Sequence, residues 1–130
     1  MPKRTKPRTP PKIDLPRYAE EHLLYEAQMF VMARSMKCVK PSFEMNLQTE
    51  ACALHFRNLY EFFYPADPYD DDVIAQDYAS DWGKKQPTCG PLLKAARKRT
   101  DKELAHLTTW RITGAPKEKE WDWNLLSADL

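Results

Sequence analysis

The chain has 130 residues, of which 42% are hydrophobic and 30% are charged, and its formal net charge is +1. This length is enough for one domain with a modest core, and four Trp, six Tyr and five Phe are typical of a globular chain rather than a disordered one. The near-neutral charge argues against a protein that coats DNA. No apolar run approaches the ~18 residues that a membrane span needs, so we expect no membrane contact.

The three cysteines point to a reducing compartment. Cys38, Cys52 and Cys89 are widely spaced, odd in number and contain no C-x-x-C pair. Such a pattern predicts neither a disulfide framework nor a zinc knuckle. We therefore expect free thiols, a cytoplasmic location, and neither a metal nor a cofactor.

Residues 1–16 are rich in proline and in basic side chains. Five prolines leave little to bury, so the sequence predicts a disordered basic arm over residues 1–16, followed by a single helical domain over residues 17–130. The arm could bind nucleic-acid phosphates, or it could be a solubilising tail. Its candidate phosphate-binding residues are Lys3, Arg4, Lys6, Arg8 and Lys12.

Two long helices, over residues 17–37 and 43–64, are predicted next. Pro41 ends the first helix and Ser42 can cap the second, so the two should form an antiparallel hairpin. Met29, Met32 and Met36 read as adaptable core filler. The apolar faces predicted from helical spacing are Leu23, Ala27, Phe30, Val31 and Met32 on the first helix, and Phe43, Leu47, Ala51, Leu54, Leu59 and Phe62 on the second.

The second helix also carries a polar cluster of His55, Arg57 and Asn58. Arg57 lies four residues before Glu61, a spacing that favours an ion pair, and Asn58 lies within reach of His55. Two interpretations stay open. The cluster is either one wall of a site shared with a facing helix or a buried network that fixes helix register.

An acidic run, Asp70 to Asp72, follows the second helix. Consecutive carboxylates suit magnesium, but they also charge-match and cap a helix start, and we favour this second role. We therefore predict no metal site. A short helix is expected over residues 73–82, followed by a polar loop over residues 83–90.

A long helix over residues 90–111 carries the most suggestive chemistry. Arg99, Glu103 and His106 share one face, because seven residues make about two turns. Arg99 could hold a phosphate while His106 moves a proton, with Glu103 orienting one of them. The alternative is an ordinary Arg99–Glu103 helix pair.

Beyond a turn at residues 112–116, a fifth helix is predicted over residues 117–130, with Trp121, Trp123 and Leu126 partly exposed as a contact surface.

The R-x6-H spacing of Arg99 and His106, in a late helix of a small helical chain, resembles the motif of the HEPN superfamily. The run HFRNLYEFF at residues 55–63 is similar to an element of small uncharacterised bacterial helical proteins. The resemblance covers residues 18–126 and implies a four- or five-helix bundle that often dimerises. It also implies metal-independent endoribonuclease activity in toxin or defence systems, with Arg99 and His106 catalytic. In active members Asn, Asp or His typically follows the motif Arg, whereas Thr100 stands here.

The sequence thus predicts an all-α, four- to five-helix bundle with two competing functions. One is an HEPN-like endoribonuclease acting on RNA, with a homodimer or an antitoxin-like protein as partner. The other is a non-catalytic helical interaction module. The two are distinguished by whether the Arg99 and His106 side chains open onto a cleft or are paired and covered.

Overall fold

The computed structural model describes residues 7–105 and 120–130. Within these ranges the regular structure is helical and no strand occurs, which confirms the predicted all-α class. The helices are α1 (Leu15–Tyr18), α2 (Leu24–Ser35), α3 (Phe43–Phe63), α4 (Ala75–Tyr78), α5 (Trp82–Lys85), α6 (Pro91–Arg99) and α7 (Trp123–Asp129), with π-helical segments at Ala19–Leu23 and Thr100–Ala105.

The first predicted helix runs without interruption through α1, a π-helical turn and α2. It begins two residues earlier than predicted because the Asp14 side chain accepts the Arg17 N–H at 3.1 Å and caps the first turn. It ends at Ser35, since Met36 adopts an extended backbone. The second helix begins where predicted, with Ser42 Oγ accepting the Met45 N–H at 3.0 Å.

Helices α2 and α3 form the predicted antiparallel hairpin, and two cross-links set its register. At the turn end, Gln48 donates its side-chain amide to the carbonyl oxygens of Ala33 and Met36, at 2.9 and 2.8 Å. Near the middle of the hairpin, His55 Nδ1 lies 2.7 Å from Glu26 Oε2. These bonds fix the register from the turn end to the middle of the hairpin.

One side of the hairpin is covered by α6 and α7. The rings of Phe30, Phe56 and Trp123 meet there with centroids 6.3–6.4 Å apart. Leu93, Ala96 and other apolar residues complete this core. The predicted exposure of Trp123 and Leu126 is therefore wrong, because α7, capped by Asp122, turns both side chains into the core.

On the opposite side of the hairpin, large apolar side chains among the described residues are exposed. Met32 follows Phe30 by two residues, about 200° round the helix, so it points away from the core, and the same relation holds for Leu54 and Phe56. The expectation that these apolar positions, and Met36, fill the core is wrong. Exposed residues predicted to be inward are Val31, Met32, Phe43, Leu47 and Leu54.

The segments after the hairpin differ from the prediction. The helix expected over residues 73–82 is a single turn, α4, because Ala79 has an extended backbone, and a second turn, α5, falls mostly within the predicted polar loop over residues 83–90. The long helix begins at Pro91 as an α-helix and widens into a π-helical segment at Thr100, whose hydroxyl donates to the Ala96 carbonyl at 2.8 Å. A hydrogen bond from a Thr hydroxyl to the carbonyl four residues earlier bends a helix. Residues 106–119, with the predicted turn and the start of the fifth helix, lie outside the described ranges.

None of the helices in the described parts of the chain combines the length and the apolar character needed to cross a membrane.

Candidate functional site

Arg99, the predicted phosphate-binding residue, is paired and largely covered. Its Nε and Nη2 donate to the Glu103 carboxylate at 2.9–3.2 Å, and its Nη1 donates to the Glu120 carbonyl at 3.1 Å. The guanidinium carbon lies 3.9 Å from the ring centroid of Trp121, and the side chain is 21% exposed. Arg99 therefore joins the end of α6 to the segment that leads into α7.

The remaining members of the predicted catalytic face are only partly described. Glu103 lies beside Arg99, as predicted, and its side chain is 11% exposed. Thr100 is buried. His106 lies outside the described residues, so its place relative to Arg99 and its catalytic role stay predictions.

The residues proposed as a second wall have partners on two different elements. His55 and the Asn58 side-chain amide both contact Glu26 Oε2 of α2, at 2.7 and 3.0 Å. Arg57 Nε instead lies 3.6 Å from Asp101, in the segment after α6. His55 and Asn58 thus fit the register-fixing interpretation, while Arg57 contacts a different part of the bundle.

Glu26 was missed as a partner of His55, because the two residues lie on different helices and no spacing within one helix signals the pair. His55 is 5% exposed and its ring meets the Tyr25 ring edge-on at 5.7 Å. The Glu26 carboxylate accepts the Nδ1 proton in this arrangement, which orients the imidazole. The pair of Glu26 and His55 is thus a largely buried polar link between α2 and α3.

We expect His55→Ala to lower the free energy of unfolding by about 1–3 kcal/mol, since it leaves a cavity and strands Glu26 without its main donor. Asn58→Ala is the matched control, because Asn58 is exposed and donates to the same oxygen, and its loss should be smaller. Urea denaturation measures both. A double-mutant cycle of His55→Ala with Glu26→Gln that shows no coupling would contradict the assigned link.

A second ion-pair cluster joins α3 to α6 and was also missed. Arg97 Nε donates to Glu61 at 2.6 Å, and its Nη1 pairs with Asp101. Burial lowers the pKa of Arg97, but the hydrogen bonds to Asp101 and Glu61 outweigh it and raise the pKa above the usual Arg value. Glu61 thus accepts from Arg97, where the sequence predicted a pair with Arg57.

The described part of the basic arm is held against the acidic run. Arg8 donates to both Asp77 oxygens at 2.7 and 2.8 Å and to the Tyr69 carbonyl at 2.9 Å. The Thr9 N–H donates to Asp70 at 2.8 Å, so Arg8 and Thr9 contact the folded domain. Lys12 is exposed, and Lys3, Arg4 and Lys6 lie outside the described residues.

The acidic run organises its own loop, which corrects the predicted helix-capping role. Asp72 accepts the Tyr69 N–H at 2.6 Å, while the carboxylate at the start of α4 that accepts a backbone N–H is Asp77.

Among residues 7–105 and 120–130, no three His, Cys, Asp or Glu side chains are grouped to hold a metal ion. Cys52 is fully buried, and burial raises the pKa of its thiol to about 12, which makes it a poor nucleophile near neutral pH.

The side of the hairpin away from α6 and α7 carries exposed large apolar side chains from both helices. We call it the outer face and define it by six half-exposed or more exposed side chains. They are Tyr25 and Met32 of α2, Met36 just beyond the end of α2, and Phe43, Leu47 and Leu54 of α3.

No protein-family model matches the chain, and no curated protein or solved structure is detectably similar to it. The function is therefore argued from the arrangement of its own side chains.

Proposed function

We propose that this chain is a helical protein-interaction module that binds a partner through the outer face. The observation that carries the proposal is the exposure of large apolar side chains on two adjacent helices, led by Met32 at 67% and Phe43 at 71%. Scattered exposed apolar residues are ordinary, but a contiguous stripe on two neighbouring helices is typical of an interaction surface.

The composition of the outer face suits binding. Methionine is flexible and polarisable, so Met32 and Met36 can adapt to the shape of a partner. Tyr25 and Phe43 supply the aromatic area that dominates interface energies. No such side chain is needed to hold the hairpin together, because the core forms on its other side.

The state of Arg99 also favours an interaction module over a nuclease. A catalytic Arg must offer its donors to a phosphate, whereas the Arg99 donors are directed at Glu103 and the Glu120 carbonyl. Its stacking on Trp121 adds a structural contact. These contacts favour a structural role for Arg99, in which it links the end of α6 to the segment that precedes α7.

Site-specific photo-crosslinking tests the proposal. A photoreactive residue at position 32 of the full chain, expressed in cells, should give one discrete crosslinked species of higher mass. The matched control is position 125, since Leu125 is 52% exposed but lies on α7. Equal crosslinking at both positions, or none at position 32, would contradict the proposal.

A metal-independent endoribonuclease of the HEPN type is the second candidate. One observation supports it: a polar groove of about 380 Å³ runs beside Trp121, the ring on which Arg99 stacks. Arg34 and Lys40 line that groove, together with Glu120 and Asp122, and the two basic side chains could attract phosphates, while an indole can stack on a base. In this function His106 shuttles the proton of a ribose 2′-hydroxyl and Arg99 stabilises the phosphate charge.

Cleavage of a mixed RNA pool in EDTA tests this second candidate. The nuclease account expects cutting by the wild-type chain that is lost in His106→Ala and in Arg99→Lys. His22→Ala is the matched control, because His22 is exposed at the start of the hairpin and should retain full activity. Cutting that survives His106→Ala, or no cutting by a folded wild-type chain, would contradict it.

A further inference from the structure

We propose that a groove between α2 and α7 binds an unbranched fatty acid of medium chain length, with its carboxylate on Arg34 and its apolar chain along the groove. The groove has a volume of about 290 Å³, close to the lower end of the range for small-molecule pockets. It lies on the side of the hairpin that faces α7. The proposal is therefore independent of the outer face.

Three helical segments each present one face to the groove, because the lining positions of each segment are three or four residues apart. Apart from Arg34 and Ser127, the lining among the described residues is apolar, and it includes no acidic side chain. The main apolar lining residues are Leu23, Ala27 and Phe30 of the first helix, Leu59 and Phe63 of α3, and Leu130 at the end of α7. Such a lining suits a hydrocarbon chain, and its single charge suits one anionic group.

The Arg34 guanidinium has donors that no described residue uses. Its hydrogen-bond partner in the described parts of the chain is Asn124 Oδ1, which accepts from Nη1 at 2.9 Å near the surface. Its Nε is buried without a hydrogen-bond partner, and no carboxylate of the described residues forms an ion pair with Arg34. By contrast, Arg8 and Arg97, which are also largely covered, each pair with a carboxylate. Arg34 is thus a cation that lacks the partner which comparable arginines of this chain have.

The surroundings of Arg34 favour a carboxylate over a phosphate. The planar guanidinium matches the two oxygens of a carboxylate with parallel donors, and one positive charge balances one negative charge. Glu120 and Asp122 lie in the neighbouring polar groove, which Arg34 also borders. A phosphate group would bring more negative charge toward these two acids, so a singly charged head group is favoured.

The direction of the bound chain follows from the way α7 runs along α2. Arg34 contacts Asn124 near the start of α7, whereas Leu130 at the other end of α7 shares the groove with Leu23. The two helices are therefore antiparallel, and the groove runs from Arg34 toward Leu23 and Leu130. The carboxylate lies at the Arg34 end, and the methyl end of the chain lies between the two leucines.

The size of the groove sets the chain length. At roughly 30 Å³ for each group of the size of a water molecule, 290 Å³ holds about ten such groups. Positions 23 and 34 are about 16 Å apart along a helix that rises 1.5 Å per residue, which leaves room for an extended chain of that size. We therefore expect the best fit at about eight to ten carbons.

Isothermal titration calorimetry of the purified full chain with sodium decanoate tests the proposal. We expect one site per chain and an affinity that rises about fourfold with each methylene from hexanoate to decanoate. The gain should stop between decanoate and dodecanoate, because the groove is then full.

Two variants test the two parts of the site separately. Arg34→Gln should weaken decanoate binding at least about tenfold, since it removes the charge-assisted hydrogen bonds. Ala27→Leu keeps the charge but fills part of the groove, so it should shorten the best-bound chain by about two to three carbons. Arg17→Gln is the matched control, because Arg17 pairs with Glu21 on the surface and should leave binding unchanged. Circular dichroism checks that each variant is folded.

No decanoate binding by a folded wild-type chain, equal binding by Arg34→Gln, or an affinity that does not depend on chain length overturns the proposal. Tighter binding of a short apolar peptide with a free C-terminal carboxylate than of decanoate would overturn the fatty acid as ligand. None of these results changes the expected crosslinking from position 32, so the proposed function is tested separately.

Discussion

Replacing Trp123 with alanine is expected to lower the free energy of unfolding by about 3–5 kcal/mol. Trp123 is 7% exposed, and its ring lies within 6.4 Å of both Phe30 and Phe56, so its loss opens a cavity where α7 meets the hairpin. The Trp123 ring also stacks on the Trp121 ring with centroids 4.6 Å apart, and the Arg99 guanidinium lies over the Trp121 ring. Urea denaturation followed by circular dichroism measures the change.

Leu125→Ala is the control for this prediction. Leu125 belongs to the same helix but faces water, so its truncation should change stability by less than about 0.5 kcal/mol. Equal losses at the two positions would show that α7 does not dock through Trp123.

Arg8→Met is expected to lower the free energy of unfolding by about 2–4 kcal/mol near neutral pH. The substitution removes the two hydrogen bonds that Arg8 donates to the carboxylate of Asp77, whose side chain is 4% exposed. It also removes donors to two backbone carbonyls of the acidic loop, Tyr69 and Asp72. Arg17→Met is the matched control, since Arg17 pairs with Glu21 on the surface and should contribute about 0.5 kcal/mol or less.

The part of the Arg8 contribution that comes from Asp77 should disappear in acid. Burial raises the pKa of Asp77, but the hydrogen bonds from Arg8 and the Ile74 N–H outweigh it and hold the pKa below its ordinary value. A carboxylate with a lowered folded pKa stabilises the fold above its unfolded value of about 3.9 and loses this as the pH falls through the folded pKa. The stability difference between wild type and Arg8→Met should therefore begin to shrink as the pH falls below about 3.9 and lose the Asp77 part below the folded pKa of Asp77, and a difference that stays constant with pH would contradict the pair.

The helical hairpin could be predicted because its signals are local. Ser42 caps α3 through a residue three positions away, and Pro41 lies just before it. The later elements were predicted less well, because the features that shape them do not alter the helical spacing of the sequence. These features are the extended backbone of Ala79 between α4 and α5 and the hydrogen bond from the Thr100 hydroxyl to the Ala96 carbonyl.

The partners of the polar residues could not be predicted, because they depend on which helices meet. The pairs of Glu26 with His55 and of Arg8 with Asp77 span 29 and 69 positions. Spacing along one helix favoured an ion pair of Arg57 with Glu61. Because α6 packs near this part of α3, Glu61 accepts a hydrogen bond from Arg97 instead. The predicted Arg99–Glu103 neighbourhood is found because both residues lie on one continuous helix.

Apolar spacing also could not tell which side of the hairpin is covered. Phe30 and Met32 are equally apolar, and only the positions of α6 and α7 decide that Phe30 is buried and Met32 is exposed. The sequence placed a contact surface at Trp121, Trp123 and Leu126, whereas the exposed apolar stripe lies on α2 and α3. The outer face is thus a property of the assembled bundle.

Methionine oxidation footprinting of the full chain in the cells that express it, where its partner is present, tests the outer face most directly. Peroxide oxidises accessible thioethers, and Met32 and Met36 are on the outer face while Met45 is half-buried at the turn end. We predict that Met32 and Met36 are protected in wild type and in Leu125→Glu, and that they become reactive in Leu47→Glu, which disrupts binding from the other helix. Fast oxidation of Met32 in wild type, at the rate of a free side chain, would contradict the account.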